Sequence, residues 1–459
     1  MNKTTNKPAL ATLQRQRKSL QHWPKKTQGH LSALLCRMRS NAKLHQEADA
    51  AFADGQPAEG ARILRILAGR RQPDALFQLG QCYAQGRGVV RNMPEAVAWV
   101  RQAAELGHLE AQLMLGQIYA NGLGRVRDFS DPMRLYASPA PDAQGDASLP
   151  ANRDLLFPAG VNVERDEAEG VKWLKRAAQS GHPLAQFDMA QRYLFGQGVD
   201  KDVERGLMLL RTSAQAHCTK AHVVLARALL EGQLLPRDPV AATGHLRTAA
   251  ELGDIDAAGE LGALLASGND IPADVAEAVP WLHKAADGGH GAAQLNLATL
   301  YFRGQGVPQD LRKAAEMYRK AEKSGRFPLA QWRLGWLYEA GEGVEKDAFE
   351  ASEWYRKAAD QGFTPAQFSL ALLYSRGLGV VRNDQQAAFW FEKAAAGGHV
   401  HACLNLALLS MRGRLGSPDF AAARAWLERA RSSATAADEE QIRHAEEMLA
   451  KLQRESPRT

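Results

Sequence analysis

Four histidines recur in the sequence, each directly after a glycine: Gly107-His108, Gly181-His182, Gly289-His290 and Gly398-His399. Recurring imidazoles raise the question of metal binding, and distance argues against it. Equivalent positions on successive stacked helices lie about 8–10 Å apart, whereas zinc–nitrogen bonds are about 2 Å. The histidines are expected instead to close helices, where the negative end of the helix dipole favours them. The four cysteines, Cys36, Cys82, Cys218 and Cys403, share no spacing and form no CxxC pair. They predict neither a zinc site nor a disulfide framework, and reduced thiols fit a cytoplasmic chain. His444-Ala445-Glu446-Glu447 departs from a zincin motif and reads as a solvated helix face. No P-loop, nucleophile elbow or dinucleotide fingerprint is present, and turns such as Gly86-Arg87-Gly88 recur too regularly to be phosphate cradles. The sequence therefore predicts no catalytic, cofactor-binding or metal-binding residues.

The elements behind these residues repeat. Alanines open successive units at Ala75, Ala111, Ala185, Ala221, Ala257, Ala293, Ala330, Ala366 and Ala402, at steps of 36 or 37 residues with one step of 74. Eleven residues past each anchor stands a glycine: Gly86, Gly122, Gly196, Gly232, Gly268, Gly304, Gly341, Gly377 and Gly413. Four past the anchor comes Leu or Met, five past comes only Gly or Ala, and eight past comes Tyr in six of nine units. Anchor, +4 and +8 share one face of a 3.6-residue helix, termed A, and the small residue at +5 admits a close neighbour. The glycine ends helix A in a left-handed conformation. A second helix, B, follows stretches such as Pro308-Gln309-Asp310. It carries Trp99, Trp173, Trp281, Trp354, Trp390 or Trp426, with Tyr318 displaced by one. These aromatics read as core fillers.

The pattern resembles the Sel-one-like repeat, a relative of the tetratricopeptide repeat. The resemblance rests on runs such as Ala366-Gln-Phe-Ser-Leu-Ala-Leu-Leu-Tyr374, Gly377-Leu-Gly-Val380 and Trp390-Phe-Glu-Lys-Ala-Ala395. It implies an all-α fold, a right-handed superhelical solenoid of tandem helix–turn–helix repeats, and adaptor work between proteins. The units opening at Ala221 and Ala257 depart most, with Leu234 and Asp270 in place of the second turn glycine and Leu229 and Leu265 in place of Tyr. A cysteine-rich secreted branch of the family is associated with β-lactam hydrolysis. That branch pairs cysteines within each repeat, this chain has no such pairs, and an enzymatic role is not expected.

By analogy with tetratricopeptide arrays, the residue after the small one faces a concave groove. Here that is Gln81, Gln117, Gln191, Arg227, Ala263, Thr299, Trp336, Leu372 and Leu408, with Arg303, Arg376 and Arg412 recurring just before the glycine. The expected partner is a protein or an extended peptide, and no cofactor is implied. About nine repeats are expected over 73–431, interrupted by a proline-bearing insertion at about 125–162. A degenerate or capping repeat is expected at 47–72, and a capping helix and tail at 432–459.

The formal net charge of +6 over 459 residues is unevenly spread. Residues 1–46 hold ten Lys or Arg and no acid, leaving 47 basic against 51 acidic residues, a net of −4, in the remainder. A mildly acidic body is a poor nucleic-acid binder, so contact with nucleic acid or an anionic surface is expected only through the basic tail. Within it, Leu31, Leu34, Leu35 and Met38 are spaced for an amphipathic helix. No run is long and apolar enough to cross a bilayer, and no secretory signal is recognisable. No pattern in the sequence encodes an oligomeric state.

Overall fold

The structure, a computed structural model, describes residues 39–121 and 166–455. The expected N-terminal amphipathic stretch, Cys36, Gly122 and the insertion at 125–162 lie outside them. Every described element is a helix. The chain divides into two compact units, Met1–Pro236 and Arg237–Thr459. The division falls in the A–B turn of the unit opening at Ala221, where Leu234 replaces the second turn glycine.

The first unit contains α1 (Asn41–Ala53), α2 (Pro57–Gly69), α3 (Pro73–Gln85), α4 (Met93–Glu105) and α5 (Leu109–Asn121). It continues with α6 (Glu167–Gln179), α7 (Pro183–Phe195), α8 (Val203–Gln215) and α9 (Thr219–Glu231). The second holds α10 (Pro239–Glu251), α11 (Ile255–Ser267), α12 (Val275–Asp287), α13 (Gly291–Arg303), α14 (Leu311–Ser324) and α15 (Pro328–Ala340). After these come α16 (Ala348–Asp360), α17 (Thr364–Arg376), α18 (Asp384–Ala396), α19 (Val400–Met411), α20 (Phe420–Ser433) and α21 (Glu439–Glu455). From α3 to α19 the odd-numbered helices are A helices, and from α4 to α20 the even-numbered ones are B helices. The fold is an all-α solenoid.

Each repeat is built on the columns seen in the sequence. All nine anchor alanines are fully buried, and the Leu or Met at +4 is buried throughout. The residue at +5 is small because helix B lies on it. A Cβ added at Gly116 would stand 2.6 Å from Leu174, at Gly262 2.6 Å from Leu282, and at Gly335 2.5 Å from the Tyr355 ring. Those partners define the true core position of helix B: Val100, Leu174, Leu210, Leu246, Leu282, Tyr318, Tyr355, Phe391 and Leu427, all buried. This corrects the sequence reading by one residue. Tyr318 is in register and not displaced, while the tryptophans one position earlier are mostly half-buried. Most of these tryptophans pair with the cation three residues on, as in Lys357 over Trp354 at 3.8 Å and Arg176 over Trp173 at 4.8 Å.

The two turn glycines do different work. Eight of the nine +11 glycines are described, and all have positive φ, from 62° at Gly413 to 78° at Gly341. The second glycine, where present, also has positive φ, but it touches the start of the preceding B helix. A Cβ on Gly379 would lie 1.9 Å from the Ala348 carbonyl oxygen, and one on Gly88 2.0 Å from that of Pro57. Helix B then starts on an Asp or Asn cap. The side chains of Asn92, Asp166, Asp202, Asp238, Asp274, Asp310, Asp347, Asn383 and Asp419 all accept from a backbone N–H of the first turn. Each such cap contributes about 1 kcal/mol.

Candidate protein-binding face

The recurring histidines hold the joints between repeats, and their role differs from the expected one. His108 Nδ1 accepts from the Ala111 N–H at 3.1 Å, His290 Nδ1 from Ala293 at 3.1 Å and His182 Nδ1 from Ala185 at 3.4 Å. They cap the start of the next A helix, at the positive end of its dipole, not the negative end of helix B. An accepting Nδ1 must be unprotonated, which leaves Nε2–H to face the preceding repeat. His182 Nε2 stands 3.0 Å from Glu110 and His108 Nε2 3.5 Å from Asp74. Burial lowers the pKa of His108 below the usual imidazole value, against the pull of Asp74 and Glu110. Burial does the same to His399, which makes no side-chain cap and stacks on Phe368 at 4.2 Å.

A second joint uses the tyrosine column. The hydroxyl of an A-helix tyrosine meets a basic side chain about 18 residues back, on the preceding B helix. Arg65 donates to Tyr83 at 2.7 Å, Arg319 to Tyr338 at 2.8 Å and Arg356 to Tyr374 at 2.9 Å. Arg101 meets Tyr119 in the same way, and His283 lies 3.1 Å from Tyr301. The unit opening at Ala257 has Leu265 in this column, and Arg247 on the preceding helix turns to Glu277 instead, at 2.6 Å.

The predicted groove residues fall on the A helices of both units, and each unit is considered by itself. In the first, Gln81 is half-buried and Gln117 is exposed, its amide donating to Asp188 on α7 at 2.8 Å. Gln191 does not offer itself to a partner as expected. It is 4% exposed, and its amide nitrogen is buried without a hydrogen-bond acceptor. Arg192 beside it is also buried, and burial raises the Asp188 carboxyl pKa against the Gln117 hydrogen bond and the Lys220 charge. Arg227 is half-buried.

In the second unit, Ala263, Thr299, Trp336, Leu372 and Leu408 are half-buried, and Arg303, Arg376 and Arg412 are exposed. Trp336 meets Phe302 of α13 edge to face, with centroids 5.3 Å apart. Arg333, three residues past the anchor Ala330 on α15, belongs to none of the sequence columns and lies over both Phe302 and Trp332. Trp332 in turn donates from Nε1 to Ser369 Oγ of α17 at 3.1 Å. Below this surface the Tyr355 hydroxyl donates to Glu339 at 2.7 Å, and Thr299 Oγ1 lies 3.4 Å from the Tyr318 hydroxyl. Aromatic, arginine and hydroxyl groups from α13, α14, α15, α16 and α17 therefore meet on one side of the second unit. Column reading can identify Trp336, but not Arg333, Phe302 or Trp332, at positions whose residue types vary from repeat to repeat.

The Sel1 repeat model matches residues 73–108, 109–131, 159–182, 183–218, 219–254, 255–290, 291–325, 328–363, 364–399 and 400–433, well over half of the chain. The chain belongs to the Sel1-repeat family. Its two short matches, 109–131 and 159–182, flank residues 132–158. Among solved structures, the Sel1 array is similar to a protective antigen of uropathogenic Escherichia coli strains with an SLR fold. The identity is 29%, over 82% of this chain and 72% of that one, with a TM-score of 0.67. It is also similar to a Sel1 repeat protein from Oxalobacter formigenes, with 28% identity over 76% of this chain and 89% of that one and a TM-score of 0.48. No curated protein matches the sequence. Sel1-type arrays generally mediate protein–protein interaction, and among the described residues no helix is long and apolar enough to cross a membrane.

Proposed function

We propose that this Sel1-repeat protein is a non-enzymatic scaffold that captures an extended segment of a partner protein on the A-helix face of its second unit. The observation that carries the reading is the Phe302–Trp336–Arg333–Trp332 cluster. Aromatic and arginine side chains are the commonest binding hot spots, and here they lie half-buried on an outer surface instead of in the repeat core. The core is already complete beneath them, because Leu334, Leu337 and Tyr355 are fully buried. Exposed Arg303 and Arg376 end the neighbouring A helices, α13 and α17.

The test is selection of a displayed random-peptide library on the immobilised full-length chain, followed by titration of the enriched peptides. Trp336→Ala should weaken them at least tenfold, matching the ~2 kcal/mol or more of a hot-spot truncation. Equal affinity for the folded Trp336→Ala protein would overturn the proposal.

A further inference from the structure

We propose that Arg333 and Arg303 form a carboxylate-recognition pair on this face, built to take acidic side chains of an extended partner segment. The inference rests on the docking reading above and deepens it by naming the partner's charge.

Arg333 is held as a ready-made fork. Its guanidinium carbon lies 4.5 Å from the Phe302 ring centre and 4.6 Å from that of Trp332. The rings fix the guanidinium by cation–π attraction but accept none of its five N–H donors in the ring plane. Among the described residues, no carboxylate lies within ion-pair distance of Arg303, Arg333 or Arg376. A guanidinium held by stacking loses little further freedom when it engages a carboxylate through two hydrogen bonds.

The charge of the surface points the same way. Helices α13, α15, α17 and α19 contain a single carboxylate, Glu339, against Arg303, Arg333 and Arg376. Glu339 already accepts the Tyr355 hydroxyl. This positive face stands on a body whose residues outside the N-terminal 46 are net acidic. Beneath this face the Tyr318 hydroxyl is fully buried beside Thr299. Burial raises the Tyr318 pKa, against the Thr299 hydrogen bond and the charges of Arg333 and Arg303.

Side-chain carboxylates fit better than a chain terminus. The three arginines come from three successive A helices, about 8–10 Å apart, and one terminal carboxylate cannot serve them all. An extended segment advances about 3.3 Å per residue, so acids about every third residue would keep pace with the helices.

The test uses the full-length chain and a fluorescein-labelled peptide, acetylated and amidated, with the sequence Gly-Asp-Leu repeated four times. Its control has Asn for every Asp. The acidic peptide should bind at least tenfold tighter in anisotropy titrations, and added salt should narrow the gap. Arg333→Gln should remove most of the difference, Arg333→Lys should restore only part, and the exposed Arg303→Gln should lower acidic-peptide affinity without altering the melting temperature. If both peptides bind equally and Trp336→Ala weakens both, docking stands and the carboxylate inference falls. If neither binds, or Trp336→Ala changes nothing, both fall.

Discussion

Gly377 and Gly379 sit two residues apart with similar positive φ, 73° and 69°, yet they answer to different neighbours. An added Cβ at Gly377 would meet the Arg382 Cβ at 3.1 Å, a side chain that can shift. At Gly379 it would meet the Ala348 carbonyl at 1.9 Å, which belongs to the first turn of α16 and cannot shift without moving the helix. Gly377→Ala should therefore cost about 1–2 kcal/mol, the cost of a left-handed alanine. Gly379→Ala should cost at least about 1 kcal/mol more, since strain and a backbone clash add. Urea denaturation of the two variants checks the order, and equal losses would show that the second glycine is a turn residue only. Among polar joints, Tyr338→Phe removes the hydroxyl that Arg319 reaches and should cost about 0.5–1.5 kcal/mol, the net value of one hydrogen bond. Thermal melting of that variant should show a small loss with helicity unchanged.

At the scale of the helix, the His108 cap makes its joint sensitive to acid. His108 is neutral in the folded chain, with its pKa lowered by burial, while an unfolded imidazole titrates near 6.5. Above that value the two states bind equal numbers of protons and the cap is intact. As pH falls through 6.5 toward the lower folded value, the unfolded state takes up more protons and stability is lost. Melting temperature should drop between about pH 7.5 and 5, and His108→Asn, which keeps an acceptor but does not titrate, should flatten part of that slope. An unchanged slope would mean that the cap does not titrate in this range. Helices are also the level most legible in the sequence. The anchor, +4, +5 and +11 columns define helix A, its core face and its end, because each answers to a local steric demand. Helix B reads one residue out of register, since tryptophan is conspicuous and the smaller Leu, Val, Tyr or Phe beside it carries the core. The histidines point to the wrong helix because one residue both follows a B helix and begins the next A helix. The tyrosine–arginine joints escape a column reading, as their partners lie on different helices.

For the whole molecule, stacked repeats couple mainly to their neighbours. Gly379→Ala should thus raise hydrogen exchange in helices α15 to α18 while leaving α3 and α4 near wild type, as mass spectrometry of the intact chain can resolve. Uniform loss of protection would contradict nearest-neighbour coupling. The candidate binding face is the part least legible in advance. The period shows which side of helix A is outward, but not which long side chains from adjacent helices converge there, and Arg333, Phe302 and Trp332 come together only in the fold. The central claim is that this face of α13, α15 and α17 receives the partner segment. The direct measurement is photo-crosslinking of the full-length chain with the acidic peptide carrying a benzophenone at one Leu position, followed by mass mapping of the adducts. Adducts within Gly291–Arg303, Pro328–Ala340 and Thr364–Arg376, suppressed by Trp336→Ala, are the predicted result; adducts concentrated on B helices or elsewhere in the chain would contradict it.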